Sequence, residues 1–314
     1  MDLDLPLRGP AGEPVDLHRT LLSHGLISLP PMAIDEGVGT IEVTLPVPGG
    51  PPRLVRVQPG KPGYARMDVA GRAPGARARE ALLASVRRIL NLDEDLSAFY
   101  AVAASDPDLA WVTAGAARMA RSPTVFEDLV KTLFTTNCSW ALTIKMTSAL
   151  VASLGEPSAG ADPEGPRGRA FPTPEAMAAH DERFYREVVR AGYRAPHVVW
   201  LSRAVADGSI DLEALADPSL TEEEVEARLL AIPGIGPYAS ALMLLLLGRY
   251  SRLILDSWSR PTYARLAGYK VTPKDSTILR RFRRYGPYAG LAFWCAITRD
   301  WLTPPPREAA PAPA

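Results

Sequence analysis

From Thr40 the chain alternates: Ile41, Val43 and Leu45 share one side, with Thr40, Glu42 and Thr44 between them. A Pro/Gly-rich stretch, Pro46 to Pro52, follows, then Leu54-Val55-Arg56-Val57 and a short run from Tyr64 to Val69 bounded by Pro-Gly. Period-two runs separated by Gly/Pro turns predict strands and hairpins, so a small antiparallel sheet is expected here. After about residue 78 the period changes. Leu82, Leu83, Val86, Ile89 and Leu90 recur at helical spacing, and so do Val125, Leu129, Thr132 and Leu133, with Ser122-Pro123 in cap and first-turn order ahead of them. The Gly-, Pro- and acid-rich segment Gly155 to Gly168 predicts a surface loop, and helical patterns then continue to about Leu302. No internal repeat is present. The expected organisation is a flexible lead-in over 1–14, a β-rich N-terminal domain over 15–105, a helical domain over 106–302 and a disordered Pro-rich tail over 303–314. That is a mainly α chain with a small antiparallel β domain, α+β in class.

Composition narrows the function classes. The longest apolar run, Ala239 to Leu247, is interrupted by Ser240 and too short to span a bilayer, so no membrane role is expected. The start, MDLDLPLRGP, lacks a basic segment followed by an apolar one, so no signal peptide is expected. Cys138 and Cys295 are too few for a disulfide framework or a four-thiolate cluster. A reduced, cytoplasmic protein follows. His18, His24, His180 and His197 form no ligand pair at helical spacing. Net charge is zero, yet the segment from Arg249 to Arg299 carries a local excess of nine positive charges. Such a segment is either a solvated face or an electrostatic footprint for a phosphate backbone, and charge alone leaves both open.

The most informative stretch is Ala231-Ile232-Pro233-Gly234-Ile235-Gly236-Pro237-Tyr238-Ala239-Ser240-Ala241, which joins a helical segment, Glu222 to Leu230, to a very apolar one. Two glycines flanking an Ile predict a tight hairpin that exposes backbone N–H groups, with the dipole of the following helix pointing into the same space. That suits a phosphate oxygen without any basic side chain. The plain alternative is an ordinary helix–turn–helix connection. Downstream, Leu253-Ile254-Leu255 runs directly into Asp256-Ser257-Trp258. Asp256 can be a helix cap, a catalytic carboxylate facing a cleft, or both.

The stretch from Leu229 to Trp258 resembles the signature of the helix-hairpin-helix base-excision DNA glycosylases, which include endonuclease III and the adenine, 8-oxoguanine and second-type 3-methyladenine glycosylases. Ile232-Pro233-Gly234-Ile235-Gly236 matches the hairpin (222–247), and Asp256 falls at the essential aspartate of the segment 253–262. Phe134 to Trp140 resembles the segment whose Gln or Asn fills the gap left by a flipped base, and Gly192-Tyr193-Arg194-Ala195 resembles the one leading to the hairpin. The β-rich part is similar to the extra sheet domain of the alkylation-repair and 8-oxoguanine branches. The resemblance implies the glycosylase fold, Asp256 as catalyst and duplex DNA carrying a damaged base as partner. It also implies DNA contacts at Asn137, Pro233, Gly234, Ile235, Gly236 and Ser240. A base pocket of Tyr238, Tyr288, Trp140 and Trp258 is expected, although Trp140 and Trp258 are equally ordinary core aromatics. For Asn137 the alternative is a helix N-cap. The carbonyls of Leu230, Ile232 and Ile235 would hold a monovalent cation, K+ or Na+, and no iron–sulfur cluster is expected.

One departure bears on chemistry. Bifunctional relatives carry a lysine two residues past the last hairpin glycine, and here that residue is Tyr238. A phenol forms no Schiff base, so the resemblance implies a monofunctional glycosylase. The alkylation-repair branch has an aromatic residue at this place, and the resemblance further implies a monomer working at the bacterial nucleoid in base-excision repair, with alkylated purines as substrate. Glycosylases for oxidised or deaminated bases (8-oxoguanine, uracil, hypoxanthine) and a non-catalytic damage-binding protein are the alternatives.

Overall fold

The computed structural model describes residues 2–302. The expected tail over 303–314 lies outside the described residues. Five strands, β1 (Asp2–Pro6), β2 (Ala33–Asp35), β3 (Thr40–Val47), β4 (Gly50–Pro59) and β5 (Tyr64–Val69), form one antiparallel sheet in the order β1-β5-β4-β3-β2. Ile41, Val43 and Leu45 point into the core as their alternation requires. Thr44 is buried too, because the opposite face is covered locally by the loop that ends at Ala170, which bridges to it. The β3–β4 register shifts between Leu45 and Val47, where Pro46 has no N–H to give to the ladder.

The helices are α1 (Leu17–Leu21), α2 (Ala76–Ile89), α3 (Ser97–Ala104), α4 (Val125–Thr135), α5 (Trp140–Leu154), α6 (Pro174–Ala178), α7 (Glu182–Glu187), α8 (Ala195–Ala206), α9 (Glu222–Leu230), α10 (Pro237–Leu246), α11 (Ser259–Leu266), α12 (Asp275–Phe282) and α13 (Ala289–Leu302). Among the described residues no helix is long and apolar enough to cross a membrane.

Two details differ from the sequence expectation. The supposed loose lead-in contains β1, whose Leu5 is buried while Asp2 to Pro6 pair with β5. The Leu-Asp alternation, masked by the neighbouring Gly and Pro, makes it an edge strand. The cap of α4 is Thr124, not Ser122: the Thr124 side chain accepts the Glu127 N–H, whereas the Ser122 N–H is held by Asp128.

Two hydrophobic cores result. One packs Leu82, Val86 and Ile89 of α2 against the sheet; the other is mainly helical and runs from Leu96 to Ile297, joined by Leu26 and Leu29 of the N-terminal part. A buried ion pair ties the two parts together. Arg118 and Glu13 meet at 2.9 Å with side chains 0% and 5% exposed, and Arg118 also donates to the carbonyls of Asn91 and Glu94. Glu13 in turn accepts the N–H of Leu96 at the start of the helical core. Removing one partner strands the other charge without water. Arg118→Met is therefore expected to lower unfolding free energy by about 3–5 kcal/mol in urea titration. A loss under about 1 kcal/mol would contradict this role for the pair.

Candidate active site

The hairpin follows its local chemistry. The Thr221 capping box starts α9, and the helix stops at Leu230 ahead of Pro233 and the left-handed Gly234 (φ +89°). Gly234 is doubly required: a Cβ there would lie 2.9 Å from both His197 of α8 and Leu133 of α4. Gly236 has an ordinary φ of −104°, and a Cβ on it would meet nothing within 4 Å. The fold thus needs the first glycine and not the second. The Ile235 N–H closes the turn on the Ile232 carbonyl at 3.1 Å, and Pro233 has no N–H. Among the described residues the N–H groups of Gly234, Gly236, Tyr238 and Ala239 meet no protein acceptor. They leave the positive end of α10 open at the surface.

Beside this helix start lies a cleft of about 1380 Å³, lined by Thr135 to Cys138, Trp140, Tyr193, Gly234, Gly236 to Ala239, Leu255 to Trp258, Arg260, Trp294 and Trp301. The N-terminal part contributes Leu21, Leu22, His24 to Ser28, Ile34 and Glu36 to the opposite wall. Asp256 is held in a reciprocal box at the start of α11. Its Oδ1 accepts the N–H groups of Trp258 (2.9 Å) and Ser259 (2.6 Å), and its own N–H donates to the buried Ser259 hydroxyl at 2.8 Å. Its Oδ2 meets no protein donor among the described residues. One carboxylate oxygen thus fixes the turn that leads into α11 while the other has no protein donor.

Tyr238 stands on the first turn of α10, its hydroxyl 3.3 Å from Thr135 at the end of α4. Burial pushes its phenol above the usual range, the Thr135 hydroxyl opposes this, and the Asp256 charge adds to the rise. The ring therefore stays neutral. Trp140 packs closely over Gly25 of the N-terminal wall, and Trp258 stacks on Trp301 (centroids 4.9 Å apart) and against Trp294 (5.9 Å). The cleft is aromatic on several sides, with Asp256 and Glu36 as its acids.

Asn137 lies at the rim in a left-handed conformation (φ +46°). It is not the cap of α5, since Ser139 fills that role. Its amide donates to the Tyr193 hydroxyl at 3.2 Å. Beneath it the buried Arg194 guanidinium donates to the Thr136 hydroxyl at 3.2 Å and to the Thr136 carbonyl. The two stretches, Phe134 to Trp140 and Gly192 to Ala195, are thus bonded to each other.

Two expected site residues are misplaced. Tyr288 does not line the cleft; it packs on Phe99 and Tyr250 against the helical core, carried there by the kink at Gly286. Ser240 is fully buried and its N–H is bonded to the Gly236 carbonyl at 2.9 Å, so it offers nothing to a ligand. Trp294, Trp301 and Tyr193 line the cleft in addition to the expected residues. Part of the basic segment is paired within the chain: Arg252 with Glu226, Arg260 with Asp275 and Arg284 with Asp106.

No protein-family model matches the chain. It is 27% identical over 229 residues, 72% of its length, to a Mycobacterium tuberculosis protein named "Probable bifunctional transcriptional activator/DNA repair enzyme AlkA", of which it spans 44%. The chain therefore corresponds to less than half of that relative. Among solved structures it resembles a 3-methyladenine DNA glycosylase from Archaeoglobus fulgidus (TM-score 0.71, 19% identity, 96% of this chain and 99% of that one). It also resembles a Clostridium acetobutylicum 8-oxoguanine glycosylase/lyase in complex with DNA (TM-score 0.69, 19% identity, 91% and 92%).

The glycine contrast is measurable. Gly234→Ala, with a positive φ and two close neighbours, is expected to cost about 1–3 kcal/mol, and Gly236→Ala less than about 0.5 kcal/mol, in denaturant midpoints. Equal losses at both positions would contradict the distinction.

Proposed function

We propose that the chain, which resembles helix-hairpin-helix DNA glycosylases in fold and in its hairpin, is a monofunctional glycosylase of that superfamily that hydrolyses the N-glycosidic bond of a flipped, alkylated purine. The observation that carries this reading is the spare oxygen of Asp256 opening into an aromatic cleft beside the unpaired N–H groups of the α10 start. Backbone N–H groups at a helix start bind a phosphate oxygen through dipole and hydrogen bonds, which lets a chain with zero net charge grip DNA. The base then rotates out of the stack into the cleft.

As the C1′–N bond breaks, its electron pair leaves with the base and positive charge develops on the sugar. Asp256 stabilises that charge through its free oxygen and orients the water whose oxygen bonds to C1′. A base already cationic needs no acid to help it leave. Neutral, electron-rich Tyr238, Trp140 and Trp258 favour such a base by cation–π attraction, on the order of 1–2 kcal/mol when desolvated. Glu36 and Asp256 add the same preference. Asn137, exposed at the rim and held by Tyr193, is suited to enter the duplex where the base has left.

No lysine lines the cleft among the described residues, and Tyr238 replaces the Schiff-base amine. This supports base release without strand cleavage. At the hairpin, the carbonyls of Leu230, Ile232 and Ile235 form an oxygen-only donor set suited to K+ or Na+. The Ile232 carbonyl already accepts the Ile235 N–H and keeps a second lone pair.

The reading is tested by base release from duplexes carrying 3-methyladenine or 7-methylguanine, 8-oxoguanine, uracil or hypoxanthine. Release of the methylated purines, with the strand left intact, is expected. Release of another lesion alone would replace the substrate, and tight binding without release anywhere would favour a non-catalytic damage binder. Borohydride is expected to trap no covalent adduct; a trapped adduct would mean that another amine attacks the sugar. Gly236→Asp is expected to weaken duplex binding alike for all sequences, because it brings negative charge to the phosphate site. A sequence-selective loss would contradict backbone anchoring there.

A further inference from the structure

Among the described residues lining the cleft, Arg260 is the single arginine or lysine, and it stands beside the carboxylate on which the chemistry turns. Its N–H lies 3.4 Å from the Asp256 carbonyl, so the two residues are one helical turn apart. An acid four residues before a base is the favoured order for a side-chain pair on a helix. Arg260 does not make that pair. Its guanidinium forks onto Asp275 at the first turn of α12, Nε to Oδ1 at 2.7 Å and a terminal nitrogen to Oδ2 at 2.9 Å. Two parallel bonds fix the guanidinium plane as well as its charge.

The alternative pairing would matter. A guanidinium on Asp256 would neutralise the negative charge that faces the developing oxocarbenium ion and would occupy the oxygen left free by the Trp258 and Ser259 N–H bonds. The other groups that bear on Asp256 do neither: Tyr238 is neutral, and the α11 N–H groups engage Oδ1. We propose that Asp275 is a positioning residue for base release: by holding Arg260 in a two-point ion pair it keeps that cation off Asp256, whose second oxygen stays open to the sugar. This rests on the reading of Asp256 as the catalytic carboxylate.

The test compares single-turnover base release and duplex affinity for Asp275→Asn, Arg260→Gln and the double variant, using a duplex carrying a methylated purine. Asp275→Asn is expected to slow release about fivefold, equivalent to ~1 kcal/mol and the upper end for an exposed charge pair, with Kd unchanged. Adding Arg260→Gln restores the rate, because the released cation is gone. Asp275→Ser, which keeps a good helix-start residue, gives the same slow phenotype should Asp275→Asn fold poorly. Wild-type rates in both Asp275 variants would overturn the proposal. So would a double variant as slow as the single one, since Asp275 would then act through α12 alone. Weaker duplex binding by Arg260→Gln would overturn it too, by giving Arg260 to a phosphate. Failure of the wild-type protein to release any base would instead remove the functional reading on which the proposal stands.

Discussion

Gly234 has no room for a side chain. Its left-handed turn is pressed between His197 of α8 and Leu133 of α4, and that close approach sets where α10 begins. From that start follow the open N–H groups, the direction of Tyr238 and its reach to Thr135 at the end of α4. The same end of α4 leads into Asn137. One steric constraint therefore gathers the open helix start, the Tyr238 ring and the rim residue Asn137 around a single cleft. Gly236 is free of that constraint, which leaves its position for an approaching ligand.

The proposed chemistry of the cleft depends on keeping one carboxylate oxygen free of a cationic partner. Asp256 divides its oxygens between a helix start and the cleft. Tyr238 stays protonated because burial disfavours the phenolate. In the opposite wall His24 is held neutral by burial, against the opposing effect of its bond to the Ala120 carbonyl, and its other ring nitrogen accepts the Leu26 N–H. Cationic side chains nearby are committed elsewhere: Arg194 to Thr136, Arg260 to Asp275. The result is an aromatic cleft with two acids beside an open helix start, which on the proposed reading suit a cationic base and a phosphate.

Legibility tracked the range of the interactions. Strands β3 to β5, the hairpin turn and the place of Asp256 at a cleft were readable because period, glycine spacing and an acid after three aliphatics are local signals. The distinct roles of the two glycines were not, since they depend on contacts from α4 and α8. Aromatic identity said that a wall was needed but not which ring supplies it: Tyr288 turned into the core at a kink, while Trp294 and Trp301 reached the cleft from α13, far along the chain. Ser240 looked like a contact by proximity to the hairpin, but its position on α10 faces inward. Which residues of the basic stretch after Arg249 are paired could not be read locally, because Glu226 and Asp106 reach Arg252 and Arg284 from other elements.

The central claim is that Asp256 supplies the charge that breaks the glycosidic bond while the hairpin alone grips the backbone. Single-turnover base release by Asp256→Asn, measured beside duplex affinity, separates the two. Asparagine can still accept the Trp258 and Ser259 N–H bonds, so folding and affinity should hold while release falls by about 10²–10³ or more. Release at the wild-type rate, or a loss of affinity matching the loss of rate, would contradict the account.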